Sequence, residues 1–176
     1  MSLILERIEA LLSGNDLRTI GKVREIIPLI RNQSDFDALF SFMSHHDRVI
    51  RMRAADAVEK ISLGHPEYLQ VHVAELFDLS HSAVDKEFKW HLALLLSRPV
   101  FSKNEAEFAW AILERWAIDK SNSKIVRVNA LEGLYHLFLQ VTSRLLPFLQ
   151  LLNKLADENI PSINARIRKI RRHLPT

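Results

Sequence analysis

Arg51, Lys89 and Arg127 stand 38 and 38 residues apart. Cations in a row form no covalent bonds. Their chemistry is anion capture: the carboxylates of an acidic peptide, or the phosphates of a nucleic acid. Trp90, next to Lys89, adds an aromatic face that can stack on a base or a peptide side chain. Arg53 completes this first set of candidates: Arg51, Arg53, Lys89, Trp90 and Arg127. Trp110 and Trp116 lie six residues apart, about 240° around a helix axis, so they cannot share one groove with each other.

A second set closes the chain. Arg166, Arg168, Lys169, Arg171 and Arg172 fall within residues 164–176, which hold no acid. The formal net charge of +3 therefore divides into a slightly acidic body and a basic end. Totals of this kind carry no global argument for nucleic acid or membrane binding, and any electrostatic function is local. Ile163, Ile167, Ile170 and Leu174 form one apolar stripe at helical spacing, so the cations occupy the other faces. This helix reads in two ways. Its stripe can close the core, with end cations that suit the helix dipole, or its cations can form a patch for an acidic partner or nucleic acid.

Bond-making chemistry finds little support. The chain has no cysteine, which excludes thiol nucleophiles, thiolate metal sites and disulfides. There is no G-x-S-x-G elbow or P-loop, and the glycines at 14, 21, 64 and 133 are too dispersed to cradle a phosphate. Of eight histidines, none lies in an H-E-x-x-H pattern. Glu87 and His91 stand one helical turn apart, but no further ligands accompany them, and an i,i+4 pair on a solvated face is the simpler reading. The paired carboxylates Glu105/Glu107 and Asp157/Glu158 fall at helix ends, where the dipole or solvent accounts for them. No metal or cofactor is expected.

The elements that must carry these residues are helices. Apolar residues recur three and four apart, as in Leu5-Ile8-Leu11-Leu12 and Leu131-Leu134-Leu137-Phe138, and strand-like alternation is absent. Turn clusters at 32–34, 64–66, 80–82, 97–99, 121–123 and 159–161 divide the chain. The pattern predicts helices near 3–12, 16–31, 34–44, 47–63, 65–79, 84–97, 103–119, 122–139, 142–157 and 161–173, within one domain spanning 1–176. Apolar runs such as Leu92 to Leu96 are far below the ~20 residues of a membrane span. The first residues turn charged at Glu6-Arg7 and predict no signal peptide. A cytoplasmic location without a membrane partner is the expectation.

The cations belong to a longer internal match. Ile50-Arg51-Met52-Arg53-Ala54-Ala55-Asp56-Ala57-Val58 aligns with Val126-Arg127-Val128-Asn129-Ala130-Leu131-Glu132-Gly133-Leu134, and Phe88 to Leu96 fits between them. Asp47, Asp85 and Ser123 precede each cation by four residues, and all three are good helix N-caps. Weaker copies occur at Leu17-Arg18-Thr19-Ile20-Gly21 and at Ile163 to Ile167. These segments resemble the second-helix signature of HEAT and armadillo-type repeats, whose period is ~40–47. Pro147 resembles the proline of a HEAT repeat's first helix, and Lys86 to Leu174 is similar to small bacterial HEAT-repeat proteins of undefined activity.

The resemblance implies an all-α, right-handed α-solenoid (an α-α superhelix) of about five helical hairpins, with degenerate capping repeats at both ends. It places Arg51, Lys89 and Arg127 on the concave face. The expected function is a non-enzymatic scaffold that binds a protein or peptide with an acidic segment. The alternative is a DNA-binding protein resembling the HEAT-like alkylpurine DNA glycosylases, with Trp90, Arg51, Arg53, Lys89 and Arg127 in a basic groove and Asp85 or Glu87 as the acid. That family's longer chain and acid-bearing motif are not recognisable here. A lyase-like HEAT protein acting on a chromophore-bearing partner has no residue set in its favour.

Overall fold

The computed structural model describes residues 3–14 and 22–174. Among the described residues ten α-helices and four 3-10 segments occur, and no strand. The helices are α1 (Leu3–Leu12), α2 (Val23–Ile26), α3 (Gln33–Ser41), α4 (Arg48–Gly64), α5 (Val73–Ser82), α6 (Lys86–Leu95), α7 (Lys103–Ile118), α8 (Lys124–Gln140), α9 (Leu145–Ala156) and α10 (Pro161–Arg171). No described helix is long and apolar enough to cross a membrane.

Four helix starts, those of α3, α4, α7 and α8, are held by side-chain caps. Asn32 Oδ1 accepts from the Asp35 amide at 3.0 Å, Asp47 Oδ1 from Val49 at 2.7 Å, and Ser123 Oγ from Val126 at 3.5 Å. Ser102 and Glu105 form a capping box at α7, each side chain bonded to the other's backbone amide.

Expected boundaries differ in places, and the first half of the helix expected at 65–79 is a 3-10 segment, Pro66–His72. The helix expected at 16–31 is described only from residue 22, and α2 gives way after one turn to a 3-10 segment, Ile27–Leu29. Pro28 is the cause: it lacks an N–H and its ring crowds the carbonyl four residues back. The weak repeat copy Leu17–Gly21 lies outside the described residues. The break expected at Ser80-His81-Ser82 falls after Ser82, whose Oγ bonds within the helix, donating to the Asp78 carbonyl at 3.0 Å.

The chain divides into two compact units, Met1–Ala83 and Val84–Thr176. In the first, α4 packs against α1, α2 and α3. Its Ala54, Ala55, Ala57 and Val58 are fully buried, since small side chains let the neighbouring helices approach. In the second, α8 packs against α6, α7 and α10. Gly133 marks the closest approach: a Cβ there would lie 2.5 Å from the Ala93 carbonyl oxygen of α6 and 3.0 Å from Leu113 Cδ1 of α7. Phe148 stacks at 5.6 Å on Phe138 and meets Trp110 edge-on at 5.7 Å.

Candidate functional site

Arg51, Lys89 and Arg127 each occupy the fourth position of their helices, α4, α6 and α8. Side chains on a helix tilt toward its N-terminus, so a long cation at this position reaches back over the cap. Arg51 Nη1 donates to the carbonyls of His45 and His46 at 2.8 and 3.1 Å, in the connection before α4. Arg127 Nε donates to the Ala117 carbonyl at 2.7 Å, near the end of the helix before α8. Lys89 Nζ reaches Asn122 Oδ1 at 3.2 Å and lies 6.0 Å over the Trp116 ring.

Arg53 is buried and donates through Nη1 to the carbonyls of Leu12 and Ser13 at 2.8 and 2.6 Å. Gly14 follows at φ +132°, in the left-handed region that favours glycine, directly beneath that guanidinium. Arg127 is 3% exposed and its Nη2 sits 2.9 Å from both oxygens of Glu158. Arg53 and Arg127 are therefore interior ties, and neither presents a guanidinium to solvent. Trp90 is half-buried, and its carbonyl accepts from Asn129 Nδ2 at 3.1 Å. Trp110 and Trp116 are buried.

The paired carboxylates are separately engaged. Glu105 caps α7, and its hydrogen bonds from Ser102 hold it below the ordinary glutamate range. Glu107 pairs with Arg144, whose guanidinium lies 4.9 Å over the Trp110 ring. Glu158 holds Arg127. His91 is buried edge-on to Trp90, with ring centroids 5.5 Å apart, and Glu87 lies 3.8 Å from Lys86 Nζ. One arrangement was not legible as a motif: His72 lies between Asp37 Oδ1 at 2.8 Å and Glu75 Oε2 at 2.6 Å, its ring stacked 3.9 Å from Phe40. With both ring nitrogens taken, His72 is a fixed joint of the first unit.

The basic end of the chain is arranged differently. Asn159 turns the chain at φ +54°, and Pro161 opens α10, where its missing N–H costs nothing. Ile163, Ile167 and Ile170 are buried, which fixes the rotation of the helix and turns its other residues outward. Arg166 is half-buried, 2.7 Å from Glu132 Oε2. His136, with Nε2 3.7 Å from Oε1, and Arg166 hold the Glu132 carboxyl below its usual range. Arg171 Nη2 donates to Asn153 Oδ1 at 2.6 Å and is exposed. Arg168, Lys169 and Arg172 are exposed and have no ion pair among the described residues.

These four exposed cations lie within five residues, so their like charges repel at i,i+3 and i,i+4 spacing. Alongside them, Lys169, Ile170 and His173 form a cleft of about 230 Å³ with Glu132, Tyr135 and His136 of α8. The arrangement supplies charge and a recess. It contains no nucleophile paired with a base.

Set against known proteins, the chain matches no family model, no curated protein and no solved structure.

Proposed function

We propose that the chain is a non-enzymatic binding module that holds an acidic segment of a partner protein along α10. The observation that carries this reading is the solvent face of that helix. Arg168, Lys169, Arg171 and Arg172 are all exposed, and no acid on α10 offsets them. Their mutual repulsion is relieved when carboxylates of a partner lie between them, and a basic surface steers such a partner in. The neighbouring cleft receives a side chain of that segment.

The fold we assign to the module is HEAT-like, with about five helical hairpins stacked as a short right-handed α-solenoid. Support comes from the matched positions of Arg51 and Arg127, each fourth in its helix and each bonded to carbonyls ahead of it. On this reading the repeated cation is a tie within the hairpin, and the binding surface is the capping helix.

Affinity capture from the native cell tests the function. The bait is the intact chain, compared with a variant carrying R168E, K169E, R171E and R172E whose folding is checked by circular dichroism. A partner with an acidic segment is captured by the first and lost by the second. Identical capture by both removes the α10 reading, and nuclease-sensitive capture assigns the face to nucleic acid.

A further inference from the structure

The first unit carries a groove of about 290 Å³ between the start of α1 and the 3-10 turn that Pro28 imposes, lined by Leu3, Ile4, Arg7, Pro28, Leu29 and Arg31. Four of these residues are apolar, two are cations and none is an acid. Leu3 is 85% exposed, a large apolar side chain left in water beside a concave surface. Arg7 is exposed and has no ion pair among the described residues. The Arg31 side chain is 77% exposed, and its contact with Asp35 is an i,i+4 pair at 3.7 Å. Asp35 is 13% exposed, but the contact is long and its arginine end is solvated, so it contributes little and leaves the guanidinium able to take another carboxylate.

We propose that this groove seats an apolar side chain from an acidic segment of a partner protein, with the carboxylates flanking that side chain on Arg7 and Arg31. Charge and shape argue together for this occupant. The apolar floor wants an aliphatic or aromatic group, and the two guanidinium groups want anions beside it, each able to take a carboxylate through two parallel hydrogen bonds. The volume is at or below the lower end for small-molecule sites, which suits one or two side chains of a peptide better than a whole cofactor. Peptide recognition of this type combines a buried anchor with charged neighbours at the rim. The site is carried by residues of the first unit alone, independently of the cations of α10.

The test uses the full chain and a capped hexapeptide with two central leucines flanked by two acidic residues on each side. A second peptide has serines in place of the leucines. Methyl NMR titration is expected to move the resonances of Leu3, Ile4 and Leu29. The serine peptide and the R7E/R31E variant are each expected to weaken binding about tenfold or more. Both substitutions lie on exposed side chains, and thermal melting confirms that the variant stays folded. The proposal is overturned if the serine peptide binds as well, if R7E/R31E changes nothing, or if the shifts gather on α10. Displacement of the peptide by decanoate at lower concentration also overturns it, by assigning the groove to a free fatty acid.

Discussion

Arg127 Nη2 donates to both carboxylate oxygens of Glu158, each at 2.9 Å, across 31 residues of chain. The arginine side chain is 3% exposed and the glutamate 14%. The pair fixes the turn between α9 and α10 against the start of α8, and so sets where the basic helix begins.

Removing one partner leaves a buried charge without compensation, which typically costs about 3–5 kcal/mol. E158A and R127A are each expected to lower the unfolding free energy obtained from urea melts by an amount in that range. The double variant R127M/E158L is expected to recover part of the loss, because it removes both charges. Single variants that unfold at the wild-type midpoint contradict the pairing.

Gly133→Ala probes the contact between α6 and α8. The added Cβ meets the Ala93 carbonyl oxygen at 2.5 Å, and backbone cannot move aside as a flexible side chain can. Overpacking of this kind costs about 1–3 kcal/mol, against the gain of up to about 1 kcal/mol that alanine brings to an unobstructed helix. Net destabilisation in a denaturant melt is expected, and a stabilised variant refutes the close approach.

Acid should weaken the second unit through Glu132. His136 and Arg166 hold its carboxyl below the ordinary value of 4.5. A lowered folded pKa means that the ionised form is favoured in the native state. The stabilisation is therefore present above pH 4.5 and is lost as the pH falls through the lower folded value. E132Q is expected to be less stable than wild type at pH 7, with the difference shrinking as the pH falls below 4.5. A constant difference across this range rules out the ionised pair.

Much of this architecture is legible in the sequence, for a local reason. Cap residues such as Asp47 and Ser123, with apolar residues three and four apart, specify helices through neighbours in the chain. The helix expected at 16–31 runs through Pro28, although the ring of that residue is enough to end α2. The cations were legible as a repeat but not in their role. Arg127 finds Glu158 at a separation of 31, and Arg53 finds the Leu12 carbonyl at 41. No periodicity announces such partners, so buried ties and exposed ligands look alike in sequence. On α10 the stripe Ile163, Ile167 and Ile170 reads directly, but not that Arg166 turns to Glu132 while the other four cations face water.

Arg53→Met tests the interior role of that side chain. Leu12 and Ser13 would lose the donor that satisfies their carbonyls, and an unsatisfied buried acceptor costs about 1–3 kcal/mol. Hydrogen exchange is expected to speed up in α1 with little change in α8. Uniform acceleration throughout the chain, or none, contradicts a local tie.

The central claim is that the exposed cations of α10 hold an acidic protein segment. It is tested most directly by fluorescence anisotropy with a labelled twelve-residue polyglutamate peptide and a labelled DNA duplex of matched charge. The account predicts that the peptide binds wild type more tightly than DNA does, and that R168E/K169E/R171E/R172E weakens the peptide at least tenfold. It is contradicted if the reversed chain binds the peptide equally. It is also contradicted if DNA is preferred, with log K falling against log salt at a slope of about −3.6, as four phosphate contacts require (about −0.9 each).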